Sequence, residues 1–136
     1  SEPEKACRPF DKKRDGLVPS GGAATVVLEE MEQALRRGAP IMGEIIGYGF
    51  SSDGSHVSVP DVKGQVRAIN MALSEAGIIP GKIDYINAHA TSTVVGDQVE
   101  AQSVNQIFMN HKPPVTSTKS MTGHELSMGG AIEIVY

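Results

Sequence analysis

The stretch "YINAHATSTVVGDQVEA", residues 85–101, decides how the rest of the chain is read. It runs from an apolar segment, through a histidine and a cluster of hydroxyl residues, into a segment with helical character. Residues 83–88 read as a buried strand and residues 97–109 as a helix, with Val104, Ile107 and Phe108 as its core contacts. A polar turn between a strand and a helix is where α/β proteins gather ligands, beyond the carboxyl ends of their strands. His89 stands in that turn. Taken singly, a histidine is more often a structural residue bonded to nearby backbone than a reactive one.

The same rhythm continues in both directions. Downstream, "NHKPP" breaks the helix, residues 115–118 form the next strand, and "TKSMTGH" (118–124) is a second polar cluster before a final helix after Gly129. Upstream, Val62, Val66, Ile69, Leu73 and Ala76 recur at helical spacing. They predict an amphipathic helix over 61–76, ended by Gly77. Farther back, residues 25–28 are a short β-branched run read as a strand. Residues 29–37 suit a helix, acidic at its start and basic at its end, stopped by Gly38 and Pro40. Residues 41–48 read as another strand, with Gly43 and Gly47 marking a bulge or a tight crossing. Strands alternating with helices and short loops predict an α/β layer with a mostly parallel sheet.

Composition excludes several classes. The 136 residues fit one domain's usual size, enough to bury about 68% of the unfolded surface. The 12 basic and 16 acidic residues are mixed along the chain, for a net charge of −4. A nucleic-acid surface, which needs clustered Lys and Arg, is not expected. No apolar run approaches the roughly 18 residues of a membrane span, so no membrane association is expected. The single cysteine, Cys7, cannot make an internal disulfide and fits a reducing, cytoplasmic setting. The start at Ser-Glu-Pro-Glu and the barely begun helix "GGAIEIVY" suggest a segment of a longer protein. No metal centre is expected, because HxxxH, HxH and CxxC spacings are absent. "PSGGAA" lacks the lysine of a phosphate loop.

The candidate groups have competing readings. His89 and His124, each in a strand-to-helix loop, are either structural or a pair of imidazoles converging on one carbonyl oxygen that becomes negative during reaction. His56 and His111 lie in polar turns and are expected to be solvated. Asp97 and Glu100 resemble a capping box more than an acid–base pair. Thr91, Ser92 and Thr93 are turn hydroxyls or ligands for a polar arm. Lys119, following a buried strand, is expected to be paired and partly buried. Glu133 is its natural partner, since an unpaired carboxylate among apolar residues is costly. Cys7 has no downstream helix N-terminus to lower its pKa and is read as an inert thiol.

Together, "CRPFDKKRDGLV", "YINAHATSTVVGD" and "STKSMTGH" resemble three successive signatures of the β-ketoacyl-acyl carrier protein synthases, within the thiolase-like superfamily. The resemblance covers essentially the whole chain. It implies a layered α/β thiolase-like fold with mixed and parallel sheets, here a partial segment: residues 1–58 end the N-terminal half and 59–136 begin the C-terminal half. It implies a decarboxylative Claisen condensation, in which malonyl thioester loses carbon dioxide and its enolate attacks an acyl group held on a cysteine. His89 and His124 match the two motif histidines, Lys119 the motif lysine, and Glu133 the acidic residue that pairs with it. Thr91 and Thr93 match hydroxyls that bind the phosphopantetheine arm. No cofactor is implied beyond that arm, carried by the partner acyl carrier protein, and the full-length protein is expected to be a homodimer. The nucleophilic cysteine is expected upstream of the segment. A non-catalytic chain-length partner subunit and a polyketide ketosynthase are the other readings. Ala90 departs from the usual glycine after the histidine, and "ELSMGG" from a small apolar run.

Overall fold

A computed structural model describes residues 2–136. Its elements are α1 (Met31–Arg36), α2 (Val62–Ala76), β1 (Ile86–Asn87), α3 (Val94–Ile107), β2 (Val115–Thr116), α4 (Lys119–Thr122) and α5 (Gly129–Val135), with single 3-10 turns between some of them. The local signals explain the helix ends. Asp61 caps α2 by accepting a hydrogen bond from the Lys63 N–H at 2.6 Å. Gly77, at φ 66°, closes it in the left-handed conformation that a side chain disfavours. The Glu30 carboxylate caps α1 by accepting from the Glu32 and Gln33 N–H groups.

β1 and β2 pair in parallel, Ile86 beside Val115 and Asn87 beside Thr116. The ladder extends through the Ile86 N–H to the Pro114 carbonyl and the Ala88 N–H to the Thr116 carbonyl. Because the strands are parallel, both chains leave the sheet at the same edge. One continues into the His89 loop and the other into the Lys119–His124 segment. Helices α2 and α3 pack on each other, and the Ser103 hydroxyl donates to Gln65 Oε1 across that seam at 2.8 Å.

Two expected strands are absent. Residues 25–28 and 41–48 run without regular structure, and Val27 and Leu28 are exposed. A strand requires a neighbour's N–H and C=O groups, and neither segment has one among the described residues. Residues 47–49 instead press onto α2: a Cβ on Gly47 would lie 2.3 Å from the Ala72 carbonyl oxygen. Gly47 therefore marks a tight crossing, while Gly43 faces open space. The Tyr48 N–H is taken by the Glu75 carboxylate, outside any ladder.

The interior is unusual for its chemistry. Buried apolar residues are few and mostly small, Ala34, Leu73, Ala88, Ala90 and Phe108. The largest fully buried side chains are Lys119, Asp97, Ser92 and Ser103. Buried polar groups are costly unless partnered, and most of these are, so hydrogen bonding and charge pairing contribute heavily to the centre of this chain.

Candidate active site

The first loop is built by side chains. α3 begins at Val94, earlier than the sequence indicates, and Thr93 at its N-cap makes no side-chain cap bond. Asp97 and Glu100 are therefore inside the helix, and the capping-box reading is corrected. The Glu100 carboxylate reaches back and accepts from the N–H groups of His89 (2.8 Å) and Ala90 (2.7 Å). Burial raises its pKa, against the lowering influence of those two N–H donors. Asp97 is 1% exposed and accepts from the Phe10 N–H at 2.8 Å. Phe10 sits at φ 63°, a conformation such a bulky residue rarely adopts. Ser92, also at positive φ, accepts from the Arg8 N–H through its hydroxyl and from the Gly16 N–H through its carbonyl. Arg14 donates to the Thr93 and Val94 carbonyls. Residues 8–16 are thus a clamp on the His89 turn. Sequence reasoning recognised the "CRPFDKKRDGLV" signature but not its partners, which lie some eighty positions away.

The second loop is built by backbone. The His124 N–H donates to the Val18 carbonyl at 2.7 Å, and the Ser20 N–H donates to the His124 carbonyl at 2.9 Å. Pro19 and His124 form an isolated parallel bridge. Gly123, at φ 76°, passes so close that a Cβ there would lie 2.7 Å from the Val18 oxygen. Leu126 holds φ 56° and aims its N–H at His124 Nδ1, 3.2 Å away. With Nδ1 accepting, the neutral imidazole carries its proton on Nε2.

The two loops bring His89 and His124 together, ring centroids 5.1 Å apart and edge to face at 83°. Both rings line one open cleft of about 1260 Å³, together with Asn87, Thr91 and Thr93. The Thr91 and Thr93 hydroxyls lie 3.1 Å from each other. Both histidines are shifted toward the neutral form. For His89 the main cause is loss of water around the ring, then the Lys119 charge; for His124 it is again desolvation, then His89 and Lys119.

Lys119 has no exposed surface and forms an ion pair with Glu133 of α5. α5 is held to β1 by the Asn87 side-chain amide, which donates to the Glu133 carbonyl at 3.2 Å. Of the remaining histidines, His56 lines the same cleft but makes no ring contact with the pair. His56 is exposed, but His111, expected to be solvated, is half-buried and its Nε2 lies 2.7 Å from the Ile83 carbonyl. It pins the α3–β2 turn to the segment that leads into β1. Burial raises the Cys7 thiol pKa, so the thiolate is scarce. Among the described residues no cluster of three potential metal ligands exists, and no helix is long and apolar enough to cross a membrane.

The chain is similar along its length to known proteins. Residues 42–136 match the beta-ketoacyl synthase C-terminal domain, and residues 1–34 match the beta-ketoacyl synthase N-terminal domain. The 3-oxoacyl-(acyl-carrier-protein) synthase 2 of Coxiella burnetii is 51% identical over 98% of the chain and 33% of that protein. A solved beta-ketoacyl synthase from Burkholderia phymatum superposes with a TM-score of 0.90 at 48% identity, over 93% of this chain and 31% of that one. The AntDE:AntF structure is described as a type II PKS acyl-carrier protein in complex with its ketosynthase. It matches with a TM-score of 0.88 at 37% identity, over 97% of this chain and 33% of that one. The chain spans about a third of the length of the curated relatives it matches.

Proposed function

The chain belongs to the beta-ketoacyl synthase family, and from that premise we propose that the full-length protein is a 3-oxoacyl-acyl carrier protein synthase. The fold is the layered α/β thiolase-like one, of which this chain presents a part. The reaction proposed is condensation of malonyl-carrier with an acyl thioester in fatty-acid elongation. The observation that carries this reading is the meeting of His89 and His124, from separate loops, at one cleft.

The chemistry follows from the geometry. The C–CO2 bond of the malonyl group breaks, carbon dioxide leaves, and the electron pair moves into the thioester as an enolate. Negative charge gathers on the thioester oxygen. Two fixed imidazole N–H donors stabilise that oxygen more than they stabilise the neutral ground state, and one such donor is worth about 3 kcal/mol. The donors must be neutral to orient a single N–H without a counter-ion, and the desolvated setting of both rings favours that form. The enolate carbon then forms a bond to the acyl carbonyl on a cysteine supplied by the rest of the protein, and the thiolate leaves.

Lys119 is the electrostatic organiser of this site, held by Glu133, and the Thr91 and Thr93 hydroxyls bind the phosphopantetheine arm. No further cofactor is required. The carrier partner is supported by the AntDE:AntF complex. Assembly as a homodimer and a cytoplasmic location complete the proposal. In the full-length protein, His89→Ala and His124→Ala should leave cysteine acylation intact and reduce malonyl decarboxylation by about a hundredfold or more. Acylation is read by mass spectrometry and decarboxylation by carbon dioxide release. Unchanged decarboxylation in both variants removes the case for the pair.

A further inference from the structure

Glu125 sits where the family resemblance predicts a small apolar side chain, and it is a charged residue inside the protein. It is 6% exposed. Neither carboxylate oxygen makes a hydrogen bond of good geometry among the described residues, and no ion pair engages it directly. Burial raises its pKa, but the nearby Thr122 hydroxyl, its own backbone N–H and the charges of Lys119 and His124 outweigh that and lower it. A carboxylate in that position is expensive unless a positive charge lies near. Gly129 shows which charge this is. A Cβ built on that buried glycine would stand 3.8 Å from Glu125 Oε2 and 4.0 Å from Lys119 Cε. The carboxylate and the lysine stem therefore flank the same glycine. The charged and titratable groups acting on the neighbouring His124 are His89 from the β1–α3 loop, Lys119 from α4, Glu133 from α5 and Glu125 itself.

We propose that Glu125 is a positioning residue: a second buried carboxylate that shares the field of Lys119 with Glu133 and offsets that positive charge at His124. Glu133 holds the ammonium by direct contact, while Glu125 acts across space beside Gly129. Desolvation, His89 and Lys119 together hold His124 toward the neutral form, and a neighbouring carboxylate works against them. Glu125 therefore lessens a downward shift of the His124 pKa that it does not reverse. The role assigned to His124 rests on the condensing activity proposed above, whereas the electrostatic coupling does not.

The test uses full-length protein carrying Glu125→Gln, with 13C-labelled histidine. The His124 resonance is assigned by its loss in His124→Asn. Removing the carboxylate should move the His124 titration midpoint down by about one pH unit. The acidic limb of malonyl decarboxylation should move down with it, and His89 should shift less. Glu125→Leu, which places no polar atom in the interior, carries the same test if the amide disturbs folding. A His124 midpoint unmoved in the folded variant overturns the inference, whatever the activity. A moved midpoint in a protein that never decarboxylates malonyl-carrier upholds the coupling and overturns the condensing reading instead.

Discussion

The two histidine loops leave the same edge of one small sheet, yet they are held by opposite means. The His89 turn is tied by side chains: Glu100 across two successive N–H groups, Asp97 to the Phe10 N–H, and Ser92 to the Arg8 N–H. The His124 turn is tied by main chain to residues 18–20, with left-handed φ angles at Gly123 and Leu126 setting its path. The difference teaches where each imidazole is vulnerable. Position 89 depends on particular functional groups, whereas position 124 depends on a conformation.

The largest expected effect breaks the ion pair that the second loop's lysine makes. Glu133→Ala in the full-length protein leaves the Lys119 ammonium buried without its partner and should cost about 3–5 kcal/mol in urea denaturation. The double variant Lys119→Met with Glu133→Leu should recover most of that loss while remaining inactive. A double variant as unstable as the single would show that the pair itself carries stability.

Next, Gly123→Ala forces a side chain into positive φ and against the Val18 carbonyl. It should cost about 2–3 kcal/mol and abolish decarboxylation without touching any charged group. A near-neutral result would mean that backbone geometry does not fix His124. Glu100→Ala is the matching cut in the first loop, where the His89 and Ala90 N–H groups lose their acceptor, at about 2 kcal/mol. Glu100→Gln, which keeps one oxygen, should lose less.

The smallest effect is a pH signature separating the loops. His89 and His124 titrate below the ordinary 6.5 in the folded protein. As pH falls through 6.5 the unfolded chain takes up protons first, so the folded state loses stability until its own midpoints are reached. Glu100 runs the other way. Its folded carboxyl keeps a proton above the ordinary 4.5, so its contribution is largest below 4.5 and declines as pH rises through the raised value. Glu100→Gln should erase the second trend and leave the first, as read from denaturation midpoints across pH.

Local patterns were legible where local forces suffice. The apolar stripe of α2, its Asp61 cap and its Gly77 stop needed only helical spacing and turn chemistry. The Lys119–Glu133 pair was legible because a carboxylate in an apolar run must find a cation. The expected strands at 25–28 and 41–48 failed because β-branched composition supplies propensity but no partner. Asp97 and Glu100 were misread because the spacing of a capping box is also the spacing of two carboxylates on one helix turn. Which it is depends on where the helix starts.

The order of residues alone set the alternation of strand, polar turn and helix, and it named the two imidazoles, the lysine and its counter-ion. Tertiary structure alone decided that both turns exit one parallel edge, that residues 8–20 grip them, and that Glu125 faces inward. The reason is distance along the chain. A hydrogen bond across eighty residues leaves no periodic trace in the sequence, and only the fold brings its two ends to 2.8–3.1 Å.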